Sequence, residues 1–404
     1  MDNFEHLLDG VGIVSEILQA APAVKILATS REKLNLQTET NLIVGGMGSS
    51  TRVRSEETAH NDAITLFVQS ARKVRPGFDP SPSELGQIEG ICQIVQGMPL
   101  AIELAAAWLH ILNVDEITGE LEKGFDILAT EVRDAPERHR SIHAVFHHSW
   151  SMLTQTEREI FMQLSVFRGG FTREAAQQVS GASLKQLAGL VNKSLLSRDP
   201  DSGRLQVHEL LRQYAQARLE ETPQACVCAQ EAHAAYYADF MWERWGHLKG
   251  KRQMLALAEI EADIENVRTA WRYYADQGNA QQLWMFIYGL WQVYWIRGWN
   301  HAGMELFARA ASKLNGQDDD QETAAVRALA MAFQGYFMAW LDLADQGYEL
   351  AEESVAILGE LNHPEALALA YDSMGVNSYM LGWYSEEIKA SNNMLKIAAE
   401  IEDK

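Results

Sequence analysis

The sequence predicts a mainly α-helical chain with a short α/β stretch at its start and stacked helix pairs at its end. Three observations lead there. Apolar residues recur at helical spacing along most of the 404 residues. Strand-like runs are few and short: Val24-Lys25-Ile26-Leu27-Ala28-Thr29, Leu42-Ile43-Val44 and the two flanks of Asp199-Pro200-Asp201-Ser202-Gly203. Nine of the eleven tryptophans fall between Trp242 and Trp383, which marks the last part of the chain as an architectural unit of its own.

Residues 1–44 read as α/β. Leu7, Leu8, Val11, Val14, Ile17 and Leu18 give Phe4 to Gln19 a helical face, and Pro22 ends it. Val24 to Thr29 has the composition of a strand buried on both faces, and Leu42 to Val44 reads as another. Gly45-Gly46-Met47-Gly48-Ser49-Ser50 reads as a flexible connector. A helical segment, 45–127, follows. Ala63 to Lys73 forms one helix, with Ala63, Leu66, Phe67 and Ala71 on its face. Pro76, Pro80 and Pro82 interrupt the pattern, and Ser83 caps a helix reaching Gln96. After Gly97-Met98, Pro99 suits a first helical turn, and the apolar run Leu100 to Leu112 must be buried.

The third segment, 128–222, reads as three helices, a hairpin and a fourth helix. Thr156 to Phe167, capped by Thr156 or Thr154, comes first, then Thr172 to Val179 and Ser183 to Asn192. Leu195-Leu196-Ser197 and Leu205-Gln206-Val207 flank the turn. Three helices followed by a β-hairpin is the winged-helix arrangement. The last segment, 223–404, shows only helices. Arg297-Gly298-Trp299, Met338-Ala339-Trp340 and Leu381-Gly382-Trp383 are similar junctions whose tryptophans lie 41 and 43 residues apart. That period suits one helix pair per repeat, an α-solenoid.

Composition excludes several classes. With 47% hydrophobic and 22% charged residues the chain is globular. A net charge of −21 argues against a general nucleic-acid binder, and from residue 305 onward 18 acids face 6 bases. Cys92, Cys226 and Cys228 make no disulfide framework and suit a reducing compartment. The start Met1-Asp2-Asn3-Phe4-Glu5 lacks a basic signal region, and the apolar run Leu283 to Ile296 is short of the roughly 20 residues a membrane span needs. A cytoplasmic location is expected.

Four motifs then occur in order. Met1-Asp2-Asn3-Phe4-Glu5-His6-Leu7-Leu8 resembles the end of a Walker B motif, although an isolated Asp there also serves as an N-cap. Ala28-Thr29-Ser30-Arg31-Glu32 resembles a sensor-1 motif. Gly97-Met98-Pro99-Leu100-Ala101-Ile102-Glu103-Leu104-Ala105-Ala106 resembles the "GLPLA" helix, and Val207-His208-Glu209 stands where "MHD" stands. Together they resemble the signal-transduction ATPases with numerous domains (STAND, the NB-ARC class), especially bacterial regulators with tetratricopeptide-like repeats.

The resemblance implies the rest. The segments would be the C-terminal remnant of an α/β P-loop nucleotide-binding domain, a helical domain, a winged helix and the repeats. Asp2 would hold Mg²⁺. Arg31 would approach the terminal phosphate of ATP, since a guanidinium fork matches phosphate oxygens. Pro99 would pack near adenine, and His208 would contact the β-phosphate of ADP and keep the winged helix closed. Val207 and Glu209 depart from the Met and Asp of the motif. No G-x-x-x-x-G-K-[S/T] occurs, so the chain is expected to be a fragment of a longer regulator, or a reading frame started at an internal Met, that does not itself hydrolyse ATP.

Other clusters carry less. His139, His143 and His147 share a helical spacing that could hold a metal, but a polar helix entering the winged helix is the preferred reading. Cys226-Val227-Cys228 lacks partners for a zinc site. Trp284, Trp291, Tyr294 and Trp295 read as solenoid core rather than a base-stacking stripe. The candidate recognition helix, Ser183 to Asn192, has only Lys185 and Lys193 nearby. The expected function is that of an ADP/ATP-regulated switch: a protein or small molecule on the repeats would permit exchange, and the intact parent would self-associate. A non-enzymatic interaction scaffold and a DNA-binding winged-helix factor are the alternatives.

Overall fold

Many of the helices announce their starts with a local code. Ser81, Asn113, Thr154 and Ser183 each accept a bond from the backbone N–H three residues on. The Glu or Gln side chain at that position accepts one in turn from the cap's own backbone N–H. The computed structural model describes residues 1, 4–47, 56–124, 128, 142–316, 320–361 and 363–401. They form two compact units, 1–229 and 230–404. Among the described residues no helix is long and apolar enough to cross a membrane.

The first unit holds α1 (Val11–Ala20), α2 (Glu56–Val74), α3 (Pro82–Ile94), α4 (Pro99–Ala107), α5 (Val114–Lys123), α6 (Ile142–Ser151), α7 (Gln155–Leu164), α8 (Arg173–Ser180), α9 (Leu184–Asn192) and α10 (Glu209–Glu220). Strands β1 (Ser197–Arg198) and β2 (Leu205–Gln206) pair antiparallel between α9 and α10. Asp199 closes their turn, accepting bonds from the Ser202 N–H and hydroxyl, and Gly203 supplies the positive φ. Phe67, Ile88, Ile91, Ile102, Ala105 and Ile117 make the core of α2–α5. Phe146 of α6 and Leu210 and Tyr214 of α10 join it.

Four expectations are corrected here. The helix expected over 4–19 is a 3₁₀ stretch, Phe4–Gly10, followed by α1, because Leu7 leaves helical geometry (φ −120°) and Gly10 and Gly12 weaken the helix around the junction. Residues 24–29 and 42–44 are not strands. The Met1 main chain brackets Ala28 in one parallel step, its N–H donating to Leu27 O (2.8 Å) and its O accepting from Thr29 N–H (3.0 Å). The next bond, Phe4 N–H to Thr29 O (2.9 Å), leads into the 3₁₀ stretch and completes no strand pair. Leu27 is 82% exposed and Ile43 89%, and Ile26 and Ala28 are only half-buried, so among the described residues these runs are not covered on both faces as a buried strand would be. The cap of α3 is Ser81 rather than Ser83, because Pro82 occupies the first helical position. Gly46 and Met47 are not a flexible tether: Met47 N–H donates to Gly97 O (2.8 Å), and a Cβ on Gly46 would sit 2.0 Å from Gln96 O. Residues 48–50 of that connector lie outside the described residues.

The helix α11 (Pro223–Leu248) begins in the first unit, and its larger part belongs to the second. There follow α12 (Gln253–Ala262), α13 (Ile264–Asp276), α14 (Ala280–Arg297), α15 (Asn300–Leu314), α16 (Gln321–Met338), α17 (Ala344–Glu360), α18 (Pro364–Met380) and α19 (Tyr384–Glu400). From α14 on they are helix pairs, and α15 packs on α16, α16 on α17, α17 on α18 and α18 on α19. The first helices of the pairs also meet, α14 with α16 and α16 with α18. Trp299 and Trp383 directly follow the left-handed Gly298 and Gly382, whereas Trp340 sits in a short 3₁₀ turn two residues before the left-handed Asp342.

The close fit rests on small residues. A Cβ on Gly335 would lie 2.5 Å from Gly347 O, and one on Gly347 would lie 2.2 Å from the Asn377 amide oxygen. Ser354 of α17 and Ser373 and Asn377 of α18 donate to the carbonyls of Ala328, Ala332 and Gly335 in α16. Gly347→Ala should therefore destabilise the chain by about 1–3 kcal/mol in urea unfolding, the usual cost of overpacking. Gly359→Ala, in α17 with nothing within 4 Å of its Cβ position, should be neutral or stabilising by up to about 1 kcal/mol. Equal responses of the two variants would refute this packing account.

Candidate functional site

Glu209 begins α10, and the residue before it, His208, is the cap. His208 Nδ1 accepts from Leu210 N–H at 3.3 Å. An accepting Nδ1 requires the neutral ring with its proton on Nε2. Burial holds the imidazole pKa below its ordinary value, with the Glu209 carboxylate opposing. Glu209 itself is forked to Arg212, with 2.8 Å from Nε and 2.7 Å from Nη2. Arg212 is 7% exposed and also donates to Ser165 O and Gln216. Arg168 donates to the same two acceptors, and burial beside the Arg212 charge pushes it down to about 10. Sequence reasoning missed this pair. The i, i+3 and i+7 spacing of Glu209, Arg212 and Gln216 was the available signal, but Arg168 comes from a distant loop.

Arg31 lies elsewhere on the unit. Its Nη1 donates to Ser149 of α6 (3.0 Å), and its carbonyl accepts from the Ser194 hydroxyl (2.8 Å). Lys33 N–H donates to Asn192 O at the end of α9 (3.2 Å). Pro99 is exposed at the first turn of α4. These positions are linked through helices that meet: α6 carries Ser149 and packs on α10, which His208 caps, and α4 shares the core that Leu210 and Tyr214 enter. Asp2 lies outside the described residues.

The metal reading has no support among the described residues, where no group of His, Cys, Asp or Glu could hold an ion. His139 lies outside them, while His147 is exposed with Nδ1 3.3 Å from the Tyr214 hydroxyl. The nucleic-acid reading meets a charge problem. Lys193 is tied to Glu157 at 2.8 Å, half-buried, which leaves Lys185 as the basic residue of α9.

In the second unit the aromatic residues of α14 are divided. Tyr294 is fully buried and Tyr288 is 6% exposed, whereas Trp295 is 47% exposed. Trp291 stacks on Phe333 (5.0 Å, 11°) and meets Tyr336 edge-on (5.6 Å). The stripe is thus partly core and partly surface.

No protein-family model matches the chain. It is 31% identical over 398 residues to a protein of Mycobacterium tuberculosis named "Putative HTH-type transcriptional regulator", and equally to its Mycobacterium bovis counterpart. The match covers 94% of this chain and 43% of the relative, so the chain spans less than half the length of those regulators. An uncharacterized M. tuberculosis protein is 33% identical over 236 residues, 56% of this chain and 58% of that one. A solved structure from Pyrococcus horikoshii, a STAND protein with a tetratricopeptide repeat sensor, is 15% identical over 96% of this chain and 59% of its own, with a TM-score of 0.24, too low to carry an argument.

The setting of His208 makes a stability forecast. Its pKa is lowered in the folded chain, so the unfolded chain binds the proton first. His208 then costs nothing above about pH 7 and destabilises progressively as pH falls below about 6.5. His208→Asn, which keeps a capping oxygen, should flatten that limb in denaturation at pH 5–7. His208→Ala should lose about 1 kcal/mol at pH 7.5. An unchanged pH profile in His208→Asn would exclude the neutral cap.

Proposed function

We propose that the chain is part of a nucleotide-responsive regulator of transcription or signalling of the STAND class. Its first unit would carry the switch, including a winged-helix segment from α7 to α10, and its second unit the ligand-sensing repeats. The observation that carries the reading is the similarity to an HTH-type regulator along 94% of the chain. Arg31, Pro99 and His208 stand in the order the motifs require. His208 adds a chemical reason: a neutral ring with Nε2–H at the start of a helix is a donor suited to a phosphate oxygen. A bound nucleotide would supply the negative charge that such a donor and the nearby Arg168–Arg212 pair could read.

The residues present do not make a complete phosphate cradle. The glycine-rich stretch near residue 46 has spent the Met47 N–H on Gly97 O and has no room beside the Gln96–Gly97 turn. The described part of the chain therefore lacks the nest of free N–H donors that holds a triphosphate. Nucleotide regulation, with Asp2 on Mg²⁺ and Arg31 on the terminal phosphate, belongs to a longer protein in this reading. The chain as given is expected to bind ADP weakly.

The proposal favours regulation through protein or small-molecule contacts over direct DNA reading, because Lys193 is committed to Glu157. Two titrations of this chain test it. Calorimetry with ADP and Mg²⁺ should give no binding at micromolar Kd. Anisotropy with duplex DNA should give no binding at 150 mM salt that keeps a sequence preference. Micromolar ADP binding would overturn the incomplete-cradle argument, and sequence-preferring DNA binding would move the function to the winged helix.

A further inference from the structure

The turn between α11 and α12 breaks the charge pattern of the chain. From residue 244 to 258 there are four cations and no acid, in a chain of net charge −21. Three of the cations, Lys249, Lys251 and Arg252, lie exposed on the turn itself, and none forms an ion pair among the described residues. Elsewhere in the second unit Arg244, Arg268, Arg297, Arg309, Arg327 and Lys389 each meet a carboxylate. The acids that flank the stretch, Glu243 and Glu259, are both turned to Arg244 (3.5 and 2.8 Å).

These are poor positions for cations if the fold alone is considered. Lys251 and Arg252 stand at the start of α12, the helix end whose dipole favours negative charge. Arg252 occupies the cap and makes no capping bond. The residues after Gln253 are equally out of place. Met254 and Leu255 are 72% and 57% exposed, while Ala256, Leu257 and Ile260 form the buried face of α12. The turn that presents them is preformed. Gly250 N–H donates to His247 O, Gln253 N–H to Gly250 O and the Gln253 side chain to Leu248 O (2.9 Å). Lys249 Nζ lies 4.3 Å from the centre of the Trp245 ring, which stacks on Tyr288 of α14 (5.4 Å, 19°).

Unpaired cations and two bare apolar side chains thus share one helix corner. A nucleic acid would use the cations on its phosphates but has no use there for Met254 and Leu255. A bilayer with anionic headgroups uses both kinds of side chain, by charge complementarity at the headgroups and by burial of the apolar pair beneath them.

We propose that the α11–α12 turn docks on an anionic membrane surface, with Lys249, Lys251 and Arg252 against the headgroups and Met254 and Leu255 inserted between them. The chain would lie on the bilayer without crossing it. The acids of the rest of the chain oppose such a surface, so the binding is weak, reversible and salt-sensitive. The inference is independent of nucleotide regulation.

Sedimentation of the whole chain with sucrose-loaded vesicles tests it. Vesicles of phosphatidylcholine with about 30% phosphatidylserine should bind at least about tenfold more tightly than pure phosphatidylcholine at low salt. Raising the salt severalfold should remove most of that difference. Lys251→Gln with Arg252→Gln should weaken binding to the anionic vesicles about tenfold. Met254→Ser with Leu255→Ser should weaken it by a similar factor and leave the salt dependence in place. All four side chains are exposed, so both double variants should keep the circular dichroism and unfolding midpoint of the unaltered chain. Equal binding to the two kinds of vesicle, or a preference that survives both double variants, would overturn the proposal. So would a duplex DNA or polyglutamate that displaces the vesicles and binds regardless of Met254→Ser and Leu255→Ser, which would assign the corner to a nucleic acid or an acidic protein.

Discussion

The second unit depends on how closely α16 is approached by its neighbours. Its backbone carbonyls at Ala328, Ala332 and Gly335 already serve the helix and each accepts a second bond from a buried Ser or Asn. That is feasible only where α17 and α18 come within contact distance of the α16 backbone, and Gly335 and Gly347 provide it. The arrangement couples three helices through main-chain atoms rather than through interchangeable apolar side chains. It also limits the nearest-neighbour independence expected of a solenoid, since α16 bonds to both the following helix and the one after it.

The first unit uses a different device. There α10 is anchored at its start by an imidazole and at its middle by two guanidinium groups sharing acceptors on Ser165 and Gln216. Each acceptor is served by both arginines, so the two guanidinium groups back each other up and hold α10 and the end of α7 as one piece. A ligand acting on His208 would pull on that piece rather than on a loose loop, which is the physical content of the switch reading.

Much of this was legible in the sequence, and the gaps have physical causes. Helices α7, α8 and α9 could be read closely because Thr154, Thr172 and Ser183 act on residues three positions away, a code that needs no tertiary context. The tryptophan period marked the helix pairs because each junction holds a left-handed residue within two positions of its tryptophan, before Trp299 and Trp383 and after Trp340. Val24 to Thr29 misled because a strand exists only with a partner, and apolar composition alone supplies none. Gly335 and Gly347 were silent because a glycine inside a helical pattern reads as a weakness until its neighbour is known. His208 was found through its motif, while its capping role followed from the position just after β2.

The hydrogen bond from Met47 to Gly97 closes a loop of about fifty residues. Most of that loop is α2 and α3, already fixed by their shared core, so the bond costs little further chain entropy. It ties residue 47 to the bend before α4, where Gln96 and Gly97 both hold positive φ. A shift in that bend would be passed directly to the segment that leads back toward Arg31.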